Sequence, residues 1–268
     1  MEKIKLLTLN IGNPSYERVQ KQIQWIENRE EDVFILTETK NSVGCNYMEQ
    51  YFLGKMDTNS KKQKYYVSFP KSITRDLGVM IISKWPLANA NFLFDQNIEY
   101  YGRAIDIEVE HPIRKIRVVG LYVPSRDRSE RKILRKKFFL EEVVDYLSEN
   151  SSAVDVVCGD FNILERNHNP HYSTFFSWEY DFYDKLFDLG YCDIYRKLNP
   201  QKSEYSWVGR TKKGYRYDHM FISNKIICRN VNCNYLHETR SDENKFTDHS
   251  AMKLDVGFYE EGAYNEKN

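Results

Sequence analysis

The sequence predicts an α/β protein in which two packed β-sheets carry helices on their outer faces. Three observations predict it: strand-like and helix-like segments interleave over most of the chain, both halves show this alternation, and the middle is rich in strands. Such a pattern is typical of sheets that bury one face against each other and the other against helices. Because no linker rich in Pro, Gly or Ser interrupts it, we expect one domain over residues 1–258 and a polar tail over residues 259–268.

The first half begins with a β-α-β unit. Residues 3–10 are β-prone, and residues 15–29 repeat their apolar side chains at helical spacing. The apolar run DVFILTE over residues 32–38 predicts the second strand. Short runs rich in β-branched and aromatic residues, bounded by Gly, Pro and Asn, then predict four more strands. These cover residues 64–69, 78–83, 103–110 and 115–123.

The second half begins with a long predicted helix over residues 129–149, in which apolar side chains again recur at helical spacing. An apolar strand follows over residues 153–162, AVDVVCGDFN, and it ends abruptly in polar side chains. A further helix is predicted over residues 176–189. The last three predicted strands cover residues 204–208, 217–223 and 250–257.

Composition excludes several classes of protein. The chain has 268 residues, of which 41% are hydrophobic and 15% aromatic, so it can fill a substantial core and is not generally disordered. No apolar run approaches the roughly 20 residues of a membrane helix. The start MEKIKLLTLN is too short and polar for the pattern of a signal peptide, and we expect a strand there. The 39 Lys and Arg balance 39 Asp and Glu, which excludes a globally basic nucleic-acid binder but permits a local basic patch.

The cysteines predict a reducing environment. They are odd in number, scattered and without C-x-x-C spacing, which argues against a disulfide framework and against a zinc site. We therefore expect reduced thiols in a cytoplasmic protein with no membrane association. The five are Cys45, Cys158, Cys192, Cys228 and Cys233.

Four apolar strands run directly into acids, amides or a histidine. One polar residue at a strand end is usually a turn former, but loops at strand ends also aim polar groups into a ligand crevice in α/β folds. Four such ends in one chain therefore predict a shared site. Its oxygen-rich ligand set without cysteine suits Mg²⁺, or alternatively Mn²⁺. The side chains are Asn10, Glu38, Asp160 with Asn162, and Asp248 with His249.

These side chains indicate phosphate chemistry. A hard cation neutralises phosphate charge and polarises the P–O bond. A carboxylate such as Asp160 can orient and deprotonate a water, while His249 can stabilise charge on the phosphoryl oxygens. Asp218, in RYDHMFIS, can fix the tautomer of that histidine and raise its pKa. No G-x-S-x-G motif is present and Cys158 lies inside an apolar strand, so no covalent nucleophile is predicted.

Six blocks in this order, LTLNIG, ILTETK, GLYVPS, CGDFNI, YRYDHMFIS and FTDHSAM, resemble the endonuclease/exonuclease/phosphatase superfamily. Within it the chain most resembles the exonuclease III-type apurinic/apyrimidinic endonucleases, over about residues 3–257. The resemblance implies a four-layered α/β sandwich with a DNase I-like fold. It also implies Mg²⁺-dependent hydrolysis of phosphodiesters or phosphomonoesters by direct in-line attack of water.

The resemblance also implies the metal ligands. Glu38 would be the principal ligand, with Asn10 and Asp248 nearby. The superfamily leaves open whether one or two metals act. Contact of Asp160 and Asn162 with metal is therefore also open.

The same resemblance implies the catalytic side chains. Asp160 would align and activate the attacking water, assisted by Asn162. Tyr122, in LYVP, would reach the scissile phosphate. His249, paired with Asp218, would bind a non-bridging phosphate oxygen.

Two segments depart from the pattern of the DNA-repair relatives. IGNPSYER stands where those enzymes usually carry a GLRA-type loop that helps to grip DNA, which leaves the substrate open. GYR stands in place of the usual GWR, and Tyr217 follows it instead of an aliphatic residue. Trp207, Tyr215 and Tyr217 are expected to stack on a base or to enclose an abasic sugar. Simple packing is the alternative in a chain with 20 Tyr and 15 Phe.

A basic stretch over residues 126–137 holds seven Lys and Arg against two acids, directly after the YVPS block. We expect Arg131, Arg135 and Lys136 to bind DNA phosphates there. A solvated helix face is the alternative. Arg103, at the start of its strand, is a further substrate-binding residue that the resemblance suggests. KKQK at residues 61–64 and RTKKGYR at residues 210–216 are weaker candidates of the same kind.

The sequence as a whole predicts a Mg²⁺-dependent phosphodiester hydrolase that acts on duplex DNA as a monomer. The expected activity is abasic-site endonuclease, 3′-exonuclease or both. The alternative is a phosphoesterase of the same superfamily that acts on RNA, a phosphoinositide or a phospholipid head group. A third hypothesis, a catalytically inactive scaffold that only binds nucleic acid, is disfavoured because every core catalytic residue type is present.

Overall fold

The computed structural model describes residues 3–55, 65–72, 74, 76–226, 228–241, 243 and 245–258. The predicted polar tail over residues 259–268 lies outside the described residues, and so does the basic run at residues 61–64. Within the described part, no helix has the length and apolar character needed to span a membrane.

Strands and helices alternate along the described chain. The strands are β1 (Lys3–Asn10), β2 (Val33–Thr39), β3 (Tyr66–Ser68), β4 (Gly78–Ser83), β5 (Leu87–Phe92), β6 (Ala104–Val109), β7 (Ile116–Tyr122), β8 (Val156–Asp160), β9 (Tyr191–Asp193), β10 (Trp207–Val208), β11 (Gly214–Tyr215), β12 (Asp218–Ser223), β13 (Cys228–Leu236) and β14 (Ala251–Phe258). The helices are α1 (Tyr16–Glu27), α2 (Val43–Phe52), α3 (Glu130–Asn150), α4 (Ser177–Asp188), α5 (Ile194–Leu198) and α6 (Glu238–Ser241).

The strands form two six-stranded mixed sheets. The first has the order β13-β14-β1-β2-β4-β3, and the second has the order β5-β6-β7-β8-β12-β9. Strands β1 and β2 are parallel, as are β7 and β8, while their other neighbours are antiparallel. Strands β10 and β11 pair separately as a short two-stranded ribbon.

Three apolar clusters fill the interfaces between four layers: helices, the first sheet, the second sheet and helices. The first lies between the sheets and includes Ile35 and Val118. The second packs α3 and α4 on the outer face of the second sheet, through side chains such as Phe139 and Leu186. The third packs α1 and α2 on the outer face of the first sheet, with Met48 among its members. The predicted four-layered α/β sandwich is thus confirmed.

The sequence prediction missed several elements, chiefly α2, β5, β9, β11, α5, α6 and β13. Strand β13 reads CRNVNCNYL and β5 reads LANANF. Asparagine is depleted in strands, so these sequences lack the usual signal. Both strands lie at sheet edges, where half of the side chains need not be apolar.

Polar side chains gather where the central strands of both sheets end at one edge of the sandwich. Asn10 ends β1, Glu38 lies near the end of β2, and Tyr122 ends β7. Asp160 ends β8 and is paired in register with Tyr122 on one side and with Asp218, the first residue of β12, on the other. The two parallel pairs, β1–β2 and β7–β8, bring their carboxyl ends to the same edge.

The approach of β8 to β7 at this edge requires glycine. Gly159 has φ +136°, and a Cβ atom there would lie 2.0 Å from the carbonyl oxygen of Leu121. No side chain fits in that space, and L-residues rarely adopt this backbone conformation. Gly159 therefore sets the position of the adjacent Asp160.

Candidate active site

Asp160 lies at the centre of a buried polar cluster. Its Oδ2 accepts a hydrogen bond from Asn10 Nδ2 at 2.9 Å, and its Oδ1 accepts one from the Asn162 backbone N–H at 2.9 Å. His249 Nε2 lies 3.4 Å from the same Asn10 Nδ2, and His249 Nδ1 lies 2.7 Å from Asp218 Oδ2. Asp160 is 1% exposed and His249 6%. Four predicted site residues that are far apart in the chain therefore meet directly.

The charges of this cluster are strongly coupled. Burial, reinforced by the negative charges of Asp218 and Glu38, raises the pKa of Asp160 to about 7. Burial alone would lower the pKa of His249, but the charge and hydrogen bond of Asp218 outweigh it and raise that pKa to about 10. This shift favours the imidazolium form of His249, in which both ring nitrogens are donors.

The protonated histidine leaves one donor for a ligand. Its Nδ1–H donates to Asp218, while its Nε2–H faces the amide nitrogen of Asn10, which is also a donor. Two donors cannot satisfy each other, and Asn10 Nδ2 already donates to Asp160, so an anionic oxygen beside Asp160 would satisfy the Nε2–H of the protonated ring. This geometry creates a small anion subsite next to a carboxylate.

Glu38 occupies a strained backbone position at a β-bulge. The pairing of β2 with β4 shifts register between Thr37 and Thr39, and Glu38 has φ +53°. Left-handed conformations of non-glycine residues are concentrated at functional sites. Glu38 Oε1 accepts a hydrogen bond from the Tyr122 hydroxyl at 3.2 Å. Tyr122 is 3% exposed, and its pKa is raised well above the usual value by burial and by the charges of Glu38 and Asp160.

Arg103 is placed behind Tyr122 and is not open to substrate. It is 3% exposed and forms a salt bridge to Asp76 at 2.7 Å. Its Nη1 donates to the Tyr122 carbonyl at 3.2 Å, and its guanidinium lies 4.8 Å from the centre of the Tyr122 ring. The guanidinium is buried and its donors are used by Asp76 and by the Tyr122 carbonyl, so the structure does not support direct substrate binding by Arg103.

The basic stretch over residues 126–137 is only partly a surface patch. Lys136 is 1% exposed, and its Nζ donates to the Asn162 carbonyl at 2.6 Å and to Glu179 at 2.7 Å. Arg135 is paired with Asp76 and donates to the Glu99 carbonyl at 3.0 Å. Lys136 and Arg135 were expected to grip DNA, and the structure contradicts this because both cations are committed to internal partners.

The remaining basic residues of the stretch divide by their partners. Arg126 pairs with Glu179, Lys132 with Asp127 at 2.8 Å, and Lys137 with Glu141 at 3.8 Å. Arg128 and Arg131 are exposed, and neither has an ion pair among the described residues. Of the three predicted phosphate-binding residues, only Arg131 is free to meet a polyanion, and Arg128 joins it.

Replacing Lys136 is expected to destabilise the protein. Lys136→Met leaves the carboxylate of Glu179 buried with one fewer cation and the Asn162 carbonyl without its donor. Breaking a buried ion pair typically costs about 3 kcal/mol or more. Urea unfolding should therefore show a loss of about 3 kcal/mol for Lys136→Met and a loss within about 0.5 kcal/mol for the exposed neighbour Lys137→Met. Equal stability of the two variants would contradict this role of Lys136.

The three predicted pocket aromatics lie together at the rim of the site. The ring centres of Tyr215 and Tyr217 are 5.1 Å apart with an interplanar angle of 18°, and Trp207 lies 5.5 Å from Tyr215. Tyr172, which the sequence prediction missed, stacks on Tyr215 at 4.3 Å and 20°. Tyr172 lies more than 40 residues before Tyr215, in a loop that carries no motif, so no local signal could have identified it. We call these four residues the aromatic cluster.

Asp248 meets this cluster at the entrance to the site. It is exposed, and its Oδ2 accepts a hydrogen bond from Trp207 Nε1 at 2.8 Å. Its charge also acts on His249, where it contributes to the raised pKa. Asn162 has φ +49°, and its side chain donates to the Val123 carbonyl at 3.0 Å, so the structure turns that side chain toward the β7 loop.

The donor set fits a hard divalent cation. Glu38, Asp160 and Asp248 supply carboxylates and Asn10 supplies an amide oxygen, which are ligands that Mg²⁺ and Mn²⁺ prefer. Among the described residues, Asp160, Asp218 and His249 also place one possible ligand atom each within 4.8 Å of one another. The hydrogen bond and charge of Asp218 favour the protonated ring of His249, and a metal at a nitrogen of this ring would have to displace its proton. Burial, together with repulsion from Asp218 and Glu38, raises the pKa of Asp160, and a cation on the side of Glu38 would relieve the repulsion.

Comparison with known proteins finds a matching family and a relative of known sequence. Residues 7–249 match a family model described as the Endonuclease/Exonuclease/phosphatase family. Exodeoxyribonuclease III of Haemophilus influenzae is 25% identical, over 69% of this chain and 83% of that protein.

Solved structures show the same fold. An AP endonuclease from Archaeoglobus fulgidus matches with a TM-score of 0.75 and 23% identity, covering 94% of this chain and 98% of that one. The 3′-5′ exonuclease NExo from Neisseria meningitidis matches with a TM-score of 0.77 and 21% identity, covering 95% of this chain and 100% of that one. An NExo described as a 3′ phosphatase, bound to a product DNA hairpin, gives a TM-score of 0.77 at 20% identity and covers 95% of this chain and 100% of that one.

Proposed function

The chain belongs to the endonuclease/exonuclease/phosphatase family, and from this membership we propose that it is a metal-dependent phosphodiesterase that acts on DNA. The proposed activity is abasic-site endonuclease, 3′-exonuclease or both. The observation that carries it is the buried Asp160, which Asn10 links to His249, whose other ring nitrogen lies 2.7 Å from Asp218. A base next to an anion subsite is what attack of water on a phosphate ester needs.

In this proposal Asp160 orients the attacking water and removes its proton. A pKa raised to about 7 matches a general base that operates near neutral pH. Asn10 and the Asn162 backbone N–H hold the two carboxylate oxygens in place. The carboxylate therefore loses little freedom when the water binds.

His249 and Tyr122 act on the phosphate. The Nε2–H of His249 donates to a non-bridging oxygen and stabilises the charge that grows on it, while Asp218 holds the ring in its charged form. The Tyr122 hydroxyl lies 3.2 Å from Glu38, so it can reach a phosphate held between Glu38 and Asp160. Arg103 holds the Tyr122 backbone in position.

The proposed cofactor is Mg²⁺, with Mn²⁺ as a substitute. Glu38 would hold it, with Asn10 and Asp248. A bound hard cation supplies charge neutralisation and polarisation of the P–O bond. Whether Asp160 also touches metal is left to experiment.

The names of the relatives support DNA as the substrate: an exodeoxyribonuclease, an AP endonuclease and a 3′-5′ exonuclease. The aromatic cluster at the rim offers ring faces on which a base or sugar can stack. The proposed partner is duplex DNA. The monomeric state and the cytoplasmic location expected from the sequence stay predictions.

One assay separates the hypotheses. The protein is incubated with abasic, nicked, 3′-phosphorylated and intact DNA duplexes, with RNA, and with a phosphoinositide panel, each with Mg²⁺ or with EDTA. We expect Mg²⁺-dependent cleavage of the DNA substrates that carry an abasic site or a 3′ end. Turnover confined to RNA or lipid would reject the proposal, as would binding of DNA without cleavage.

Neutralising the free cations of α3 and its preceding loop is expected to weaken DNA binding without altering turnover. The double substitution Arg128→Gln and Arg131→Gln should reduce the slope of log affinity against log salt by about 1.8, since each phosphate contact contributes about 0.9. The turnover rate at saturating DNA should not change, because phosphate contacts bind substrate and transition state equally. Lys21→Gln with Lys185→Gln, on exposed faces of α1 and α4, is the control. An unchanged slope would make this stretch a solvated face.

A further inference from the structure

Trp207 contacts the candidate site through its indole N–H as well as through its ring. Its Nε1 donates to Asp248 Oδ2 at 2.8 Å. Within the described part of the chain, this indole is the only hydrogen-bond partner of the Asp248 side chain. Asp248 is exposed, so little packing limits its side-chain rotation. The indole therefore decides where the Asp248 carboxylate points.

Trp207 is itself held rigidly against the catalytic cluster. It forms an antiparallel bridge with His249, and the Ser250 N–H donates to the Ser206 carbonyl at 2.7 Å. The Ser206 hydroxyl accepts the backbone N–H of Asp218 at 3.1 Å. These contacts fix the backbone of Trp207 relative to both members of the His249–Asp218 pair.

We propose that Trp207 is a positioning residue for the divalent cation: its indole N–H holds one oxygen of Asp248 and leaves the other oxygen preoriented for the metal. This inference rests on the proposed function, in which Asp248 is a metal ligand. A hydrogen bond to a ligating carboxylate fixes its rotamer before the metal arrives, so less freedom is lost on binding. Phenylalanine in this position would keep the aromatic face and lose the donor.

This role differs from base stacking, which the sequence predicted for Trp207. Stacking uses the ring face, and the ring centre of Trp207 lies 6.0 Å from that of Tyr217 within the aromatic cluster. Positioning uses only the N–H. Trp207→Phe removes the second function while retaining the first, so one substitution separates the two.

The test measures Mn²⁺ binding without DNA, by the electron paramagnetic resonance signal of free Mn²⁺. Wild type, Trp207→Phe, Asp248→Asn and the double variant are compared. Trp207→Phe is expected to raise the Mn²⁺ Kd about tenfold, in the range typical of side chains that orient a ligand. The double variant is expected to bind Mn²⁺ as Asp248→Asn does, because the indole acts only through that carboxylate. Trp178→Phe, another half-buried indole, is the control and should bind as wild type does.

Three results would overturn the proposed positioning role of Trp207. A wild-type Mn²⁺ Kd for Trp207→Phe, beside weakened binding by Asp248→Asn, would overturn the positioning role and leave stacking. A loss that persists undiminished in the Asp248→Asn background would also overturn it, since the indole would then act by another route. Wild-type binding by Asp248→Asn would overturn the inference at Asp248 itself. DNA cleavage by the wild type with Mg²⁺ is measured separately. That assay tests the proposed function independently of the role of Trp207.

Discussion

Asp160→Asn is expected to lower kcat by about 10³- to 10⁴-fold while DNA and metal still bind. The substitution retains the size of the side chain and one oxygen, which can still accept the Asn162 backbone N–H. It removes the negative charge and therefore the base, and a positioned general base contributes up to about 10⁴ in rate. Loss in kcat without a change in affinity is the signature of a group that acts in the transition state.

Single-turnover cleavage and DNA binding with Ca²⁺ in place of Mg²⁺ measure the two quantities separately. Asp188→Asn, on the exposed end of α4, is the matched control. If Asp160→Asn weakens DNA binding and leaves the single-turnover rate intact, the proposed role of Asp160 as a base is refuted.

The pH dependence offers a second readout of the same residue. With a pKa raised to about 7, Asp160 gains its charge as the pH rises through neutrality. The activity of a general base increases with its ionised fraction, so kcat/KM should rise with pH on the acid side of the profile. A bound cation stabilises the carboxylate and should shift this limb to lower pH.

Glu38→Gln is expected to reduce Mg²⁺-dependent activity by at least about 10³-fold and to weaken Mn²⁺ binding, while the protein remains folded. Removing a ligating charge costs several kcal/mol of transition-state stabilisation. The fold should survive because Glu38 is half-buried and glutamine can still accept the Tyr122 hydroxyl. Circular dichroism and thermal unfolding check the fold, and Mn²⁺ titration checks the metal.

Glu142→Gln on the exposed face of α3 is the control for this charge change. Near-normal turnover of Glu38→Gln in Mg²⁺ would refute the metal assignment. Lost turnover with intact Mn²⁺ affinity would instead assign Glu38 to the substrate.

Regular elements with strong patterns were predictable from the sequence. The run GVMIIS predicts a strand over residues 78–83, and β4 has those bounds, with all of its residues buried as its apolar sequence leads one to expect. The long helix predicted over residues 129–149 corresponds to α3, whose buried Phe139, Val143 and Leu147 recur at helical spacing. The strand ends that carry Asn10, Glu38 and Asp160 were recognisable because apolar runs stop there at polar residues.

Whether an individual Lys or Arg side chain is buried or exposed was not predictable in the same way. Lys136 and Arg131 lie in one basic run, yet one is buried against Glu179 and the other is exposed. Local charge density is the same for both residues. Which one faces inward depends on the rotation of α3 against α4, and that rotation is set by the apolar packing between them.

By itself the sequence determined the α/β class, the order of the main strands and the residue types that gather at their ends, because hydrophobic periodicity and strand termination are local properties. Only the tertiary structure decided which of these side chains touch. Asn10 and Asp160 are separated by 150 positions in the chain and are joined at 2.9 Å only when the two sheets pack. Tyr172 joins the aromatic cluster, and Trp207 turns its N–H to Asp248, for the same reason. Contacts between distant residues follow from the burial of both sheets against each other, which no local pattern encodes.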